Sequence, residues 1–252
     1  MNERSFEFFL LFHQGIPRQG PGTPEATADA LRRVQPPLPP SPAILDLGCG
    51  SGGQTVTIAS LCPGTILAID RHPPFIEELR RRVAERGLAD RVTARVGDMN
   101  ALDLPPESFD LVWCEGAMFV LGFERGLRTL RPLLRGRGVV VASEATWRRP
   151  LEEVPPDVLE FWTEAYPAIT DVEGNLALAR AAGFTPLEHF TLPEEGWAAY
   201  VDPLERRMNE VLAQHPGDRD AEEAAKRERR ELAMFRKNLR YFGYEFFLLQ
   251  RS

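Results

Sequence analysis

Ile44-Leu45-Asp46-Leu47-Gly48-Cys49-Gly50-Ser51-Gly52-Gly53 links an apolar strand, Ala43–Leu47, to a helical stretch from about Gly53 to Leu61. Glycines in such a turn reach positive φ and let a ligand approach the backbone with no Cβ in the way. The helix that follows offers unpaired N–H groups at its first turn. Gly48, Gly50 and Gly53 satisfy G-x-G-x-x-G, a pattern that by itself fits a dinucleotide. Asp46, two residues before the first glycine, argues the other way. A carboxylate there repels a pyrophosphate and suits a cationic ligand such as an amino acid with its ammonium group.

Outward from this turn the chain alternates strand and helix. Thr65–Ile69 reads as a second strand, followed by a helix over Pro73–Arg86 that places Phe75, Ile76, Leu79 and Val83 on one face. Arg91–Val96, Phe109–Cys114 and Gly138–Ser143 read as further strands, with a helix near Glu124–Leu134. This alternation indicates βαβ units in a parallel, doubly wound α/β sheet. Asp70 ends the second strand, where a carboxylate accepts both hydrogen bonds from a ribose diol. Asp98-Met99 follows the third, where a carboxylate can accept from an exocyclic adenine amine while the next N–H donates to the ring.

With these residues in place the chain resembles a class I S-adenosylmethionine-dependent methyltransferase. The likeness is to the small-molecule type related to ubiquinone/menaquinone-biosynthesis methyltransferases. Ile44–Gly52 resembles the family's first motif, Ala68-Ile69-Asp70 its ribose-binding acid and Val96-Gly97-Asp98-Met99 its adenine corner. Phe109-Asp110-Leu111-Val112-Trp113-Cys114-Glu115-Gly116 resembles the fourth-strand motif, and the likeness covers about residues 40–145. The resemblance implies a Rossmann-like seven-stranded sheet whose last strand is antiparallel, with Tyr244–Leu249 as that strand and Phe184–Leu192 beside it. It implies S-adenosylmethionine as cofactor and S-adenosylhomocysteine as product. Gly48, Cys49 and Gly50 would face the methionyl part, Asp70 the ribose, and Asp98 with Met99 the adenine. Glu115 would sit by the methionine or the reacting centre. Asp46, Gly53, Gln54 and Arg71 complete the expected cofactor contacts.

The rest of the chain is expected to cover the site. Residues 1–35 hold two short helices, Glu3–Phe12 and Pro24–Val34, the second capped by Thr23 with Pro24 at its first position. Eight of the 22 prolines fall between Pro17 and Pro42, and Pro36–Pro40 reads as a stiff connector. Residues 36–147 form the expected cofactor-binding core, and 148–252 a helical substrate cover with the last two strands. Leu151–Pro167 and Val172–Ala182 look helical. Pro193–Arg240 is a long, largely helical insertion, whose last helix carries Glu222/Lys226 and Glu223/Arg227 at i, i+4 and an inward stripe of Leu232, Phe235 and Leu239.

Methyl transfer from a sulfonium requires alignment and exclusion of water, and a base only where the attacking atom carries a proton. No catalytic residue is assigned on sequence. Candidates for substrate contact are His13, Arg18, Gln19, Glu115, Glu144, Trp147, Tyr166 and Tyr200, with Arg18–Gly22 as a loop able to close over the cofactor. Phe161, Trp162 and Trp197 add aromatic surface. The four histidines show no metal-ligand spacing, and no metal is expected.

Composition bounds the partners. The 252 residues are 43% hydrophobic and carry a formal charge of −7, which argues against nucleic acid and anionic membrane surfaces. No apolar run reaches the ~20 residues of a membrane span, and Phe6–Phe12 is too short for a secretion signal. Three cysteines at these spacings suit neither a disulfide framework nor a zinc site, so the expected home is the cytoplasm. The expected partner is a small-molecule substrate, and the expected state a monomer or homodimer. The alternatives are an NAD(P)-dependent oxidoreductase and a non-catalytic S-adenosylmethionine-binding protein.

Overall fold

The computed structural model describes residues 2–252. Two helices open the chain, α1 (Glu3–His13) and α2 (Pro24–Arg32). The alternating region runs β1 (Ala43–Leu47), α3 (Gly53–Leu61), β2 (Thr65–Asp70), α4 (Pro73–Glu85), β3 (Val92–Val96), β4 (Phe109–Glu115), α5 (Phe123–Leu130) and β5 (Leu134–Trp147). Then come α6 (Pro156–Ala165), β6 (Thr170–Asp171), α7 (Val172–Ala181), β7 (Phe184–Thr191), α8 (Glu194–Gln214), α9 (Arg219–Asn238) and β8 (Phe242–Arg251).

The sheet order is β3-β2-β1-β4-β5-β8-β7. Strands β1 to β5 pair in parallel, and β8 is antiparallel to both β5 and β7. The Rossmann-like sheet with an antiparallel last strand is therefore present, with β6 as an addition beside the end of β5. Alternate residues of each strand point to opposite faces. Ile44, Leu111, Trp113 and Val141 join the core under α3 and α4, whereas Leu45, Leu47, Val112 and Val140 join the one under α5 and α7. The chain reverses direction across the sheet between β1 and β4, which opens a crevice at their carboxyl ends.

Three departures from the periodic pattern have local causes. The expected helix over 124–134 stops at Leu130 and tightens into a 3₁₀ turn over Arg131–Leu133, because Pro132 has no N–H to continue it. Leu151–Pro167 splits into a 3₁₀ turn and α6, divided by Pro155-Pro156. β5 is much longer than Gly138–Ser143, since its antiparallel ladder with β8 carries Glu144–Trp147 past the end of β4. The 193–240 insertion is largely helical as expected, its two helices joined through His215–Asp218.

The insertion folds back over the strand ends, where α8 and α9 pack on each other and on α1. Trp162 on α6, Trp197 on α8, Phe235 on α9 and Phe242 on β8 interlock there. Centroids are 4.9 Å apart for Trp162–Phe242 and Trp197–Phe235. Leu232 and Phe235 are buried as the stripe requires, while Leu239 is only half-buried as the helix cap. The expected Glu222–Lys226 and Glu223–Arg227 ion pairs do not form among the described residues. Among those residues no helix is long and apolar enough to cross a membrane.

Candidate functional site

The turn after β1 is built as its glycines require. Gly48, Gly50 and Gly52 have φ of +71°, +54° and +83°. A Cβ on Gly48 would lie 2.4 Å from that of Ala117, so the loop must lack one to nest against the end of β4. Asp70 braces the turn from β2. Its Oδ2 accepts from the Gly50 N–H at 3.0 Å and its Oδ1 from that of His72 at 2.9 Å, which leaves lone pairs on both oxygens. Asp98 is held by the backbone and side chain of Asn100, both donating to Oδ1, and these bonds keep its pKa below the usual carboxylate value.

These residues enclose a cavity of about 260 Å³ at the ends of β1, β2, β3 and β4. Gly48, Cys49, Gly50, Gln54, Asp70, Arg71, Asp98, Met99, Arg18, Gln19 and Glu115 all line it. Asp46 and Gly53 do not. The Asp46 carboxyl is fully buried, where Thr55 and Gln54 donate to it and burial pushes its pKa up to about 7. It reaches the cavity only through Gln54, so the direct cationic contact expected of it is replaced by a positioning one. Burial also pushes the Cys49 thiol up, which keeps the sulfur protonated.

Glu115 is committed to the protein. Arg18 donates to Oε1 in a buried ion pair, while Trp113 Nε1 and Thr27 Oγ1 donate to Oε2 at 2.9 Å and 3.0 Å. Gln19, next to Arg18, accepts from the Ser51 N–H at 2.7 Å and donates to the His13 carbonyl at 3.0 Å. Arg82 on α4 donates to the carbonyls of Ile16 and Pro17. The segment Arg18–Gly22 thus lies strapped across the glycine loop.

On the other side of this strap is a second cavity, of about 320 Å³. The two share Gln19, Gly20, Pro21, Gly116 and Phe119. His13, Gln19, Glu144, Tyr166 and Tyr200 line the second one, with Phe161 and Trp162. Arg18 faces the first cavity instead, and Trp147 and Trp197 face neither, being packed in the core. Phe9, Glu231 and Tyr244 also line it and escaped the sequence reading. Phe9 had a signal: it precedes His13 by four residues, one turn along α1.

Glu144 is the unusual group. It is buried, and neither carboxylate oxygen has a hydrogen-bond partner among the described residues. Burial raises its pKa to about 8; the Tyr166 hydroxyl is near enough to oppose this rise but not in hydrogen-bonding geometry. His13 is driven the other way, to about 4, and is neutral. Its Nδ1–H donates to the Phe9 carbonyl at 2.8 Å, so Nε2 accepts from the Tyr200 hydroxyl at 3.0 Å.

The Cβ-free loop at the reversal of the doubly wound sheet, the acids ending β2 and following β3, and the strap over the loop thus meet at one cavity. A family profile described as a methyltransferase domain matches residues 44–138. Uncharacterized methyltransferase YodH of Bacillus subtilis (strain 168) is 26% identical over 197 residues, spanning 76% of this chain and 79% of that one. Two crystal structures of S-adenosyl-L-homocysteine complexes of SAM-dependent methyltransferases superpose along nearly the whole chain. The one from Geobacter sulfurreducens has TM-score 0.83 and 26% identity, covering 98% of each chain. The one from Thiobacillus denitrificans has TM-score 0.84 and 25% identity, covering 100% of this chain and 99% of that chain. The chain is a class I S-adenosylmethionine-dependent methyltransferase, and S-adenosylmethionine is its cofactor. This identification displaces the nicotinamide reading of the glycine loop.

Proposed function

We propose that this methyltransferase acts on a compact organic molecule held in the second cavity, with the cofactor in the first. The observation that carries the reading is the adjacency of the two cavities. They meet beside Gly116 and Phe119, and the second is enclosed by aromatic side chains at a size that suits a small molecule. Residues 1–35 and the helices of 148–252 serve as the cover, which keeps water from both cavities.

In this reading the residues fit the cofactor through groups still able to bond. Asp70 keeps lone pairs for a ribose diol, Asp98 keeps Oδ2 for an exocyclic amine, and the backbone of Gly48–Gly50 bounds the methionyl end. Asp46 holds Gln54 in place, and the Arg18–Glu115 pair anchors the strap that separates the two compartments. When bound, the cofactor supplies a methyl group on a sulfonium for in-line displacement. The chain's part is to align the acceptor, exclude water and take up a proton where the acceptor has one to lose.

Calorimetric titration with S-adenosylmethionine, S-adenosylhomocysteine and NADH tests the first cavity. Both adenosyl compounds are expected to bind, Asp70→Ala and Asp98→Ala to weaken them, and NADH not to bind. The acceptor reading is tested by S-adenosylhomocysteine release across a small-molecule panel alongside protein and nucleic-acid acceptors. Turnover confined to macromolecules would overturn it.

A further inference from the structure

The second cavity is lined by several acceptors, together with one cation, Arg227, and the unpartnered N–H of Trp162. Glu144 faces it with a carboxylate that nothing among the described residues satisfies, although such groups are costly to leave unpaired. Glu231 on α9 lines the same wall, and burial raises its pKa against the opposing effect of Arg227. The Tyr200 hydroxyl spends its hydrogen on His13, so its oxygen can only accept. Around these acceptors stand the ring walls of Trp162 and Tyr244. Acceptors backed by aromatic rings call for a ligand that brings hydrogens and positive charge.

We infer that the methyl acceptor is a compact organic amine, bound as its ammonium with the nitrogen at Glu144, and that Glu144 takes the proton released before transfer. The inference rests on the second cavity being the acceptor site. Burial holds the Glu144 carboxyl protonated in the empty cavity, and it gives that proton to solvent as the ammonium binds. In the reaction the ammonium then gives one N–H proton to the carboxylate, and the freed lone pair forms the N–C bond. The C–S bond breaks with its electron pair left on sulfur. The products are a methylammonium, the thioether and a protonated Glu144, so charge and atoms balance. A carboxylate acceptor would add a third acid beside Glu144 and Glu231, with Arg227 as the cation on that lining. A neutral alcohol has a single hydrogen to offer them.

Benzylamine, benzyl alcohol and benzoate share one shape and differ in charge, so calorimetric titration of the S-adenosylhomocysteine-loaded protein with each is the test. Benzylamine is expected to bind at least about tenfold tighter than the other two, a difference of about 1.4 kcal/mol. Glu144→Gln should abolish that preference while S-adenosylhomocysteine still binds. With S-adenosylmethionine present, mass spectrometry should find N-methylbenzylamine. If benzyl alcohol or benzoate binds as tightly as benzylamine, or the preference survives Glu144→Gln, the amine inference falls and the cavity remains an acceptor site of other chemistry. If none of the three binds the loaded protein, the acceptor-cavity reading falls with it.

Discussion

Arg18 and Glu115 form a buried ion pair that ties the N-terminal strap to the carboxyl end of β4. Thr27 on α2 touches both partners, accepting from Arg18 Nη1 at 3.3 Å and donating to Glu115 Oε2 at 3.0 Å. A sheet end, a loop and a helix therefore converge on one carboxylate. The same contact sets how closely the strap approaches, since a Cβ on Gly22 would lie 2.7 Å from Glu115 Oε1.

Removing one partner of such a pair leaves a buried charge uncompensated. Arg18→Ala is expected to destabilise the protein by about 3–5 kcal/mol. The double variant Arg18→Met/Glu115→Gln should lose clearly less than the sum of its two single changes. Urea denaturation of the full cycle checks this, and simple additivity would show that the two groups are not coupled.

Gly48→Ala puts a Cβ where the left-handed backbone disfavours one by roughly 1–2 kcal/mol. It also places that atom against Ala117, so the loop or the end of β4 has to move. Affinity for S-adenosylhomocysteine should fall by more than about tenfold with the secondary structure retained. Titration calorimetry and far-ultraviolet circular dichroism measure the two separately. Unchanged affinity would mean that the loop conformation is not what shapes the first cavity.

Glu228 on α9 is buried 4.0 Å from His13, yet burial outweighs their attraction: the carboxyl rises to about 8 and the imidazole falls to about 4. Both are neutral near pH 7. Because the Glu228 pKa is raised on folding, the native state binds the extra proton between about 4.5 and 8, and its stabilising effect is lost as pH rises through that window. Glu228→Gln should therefore gain stability relative to the parent between pH 5 and pH 8, on the order of 4 kcal/mol at ~1.4 kcal/mol per pKa unit. Urea midpoints at four pH values measure it. A constant difference would show that Glu228 is ionised in the folded protein.

Phe235 holds the cover together through Trp162, Trp197 and Phe242. Phe235→Ala is expected to cost about 3–5 kcal/mol. Near-ultraviolet circular dichroism of the tryptophans should weaken in step with the urea midpoint. An intact tryptophan signal alongside full stability would place the packing energy of the cover elsewhere.

The βαβ order, the glycine turn and the acids at Asp70 and Asp98 were legible because each depends on neighbours within a few residues. Apolar periodicity marks which face of α4 is buried, and a turn after β1 needs glycine whatever packs around it. Pairing of Phe184–Thr191 with the terminal strand was also readable, through the family resemblance. Glu228 was readable in principle: Ala221, Ala225, Glu228, Leu232 and Phe235 repeat at four-three spacing, so it falls on the buried stripe of α9.

What the chain order could not reveal is which side chains meet across long separations. Asp46 and Glu115 looked like ligand contacts, since a carboxylate near a binding edge is cheapest when it faces water or a ligand. The folded protein supplies both with internal donors, Thr55 and Gln54 for one, Arg18, Thr27 and Trp113 for the other. Glu144 received none, and that contrast depends on where α6, α8 and α9 cross the sheet edge. Local sequence thus determined the cofactor fold through backbone geometry and hydrophobic period. Only tertiary packing decided which of the acids near the strand ends stay available for chemistry, because desolvation and pairing are properties of the assembled environment.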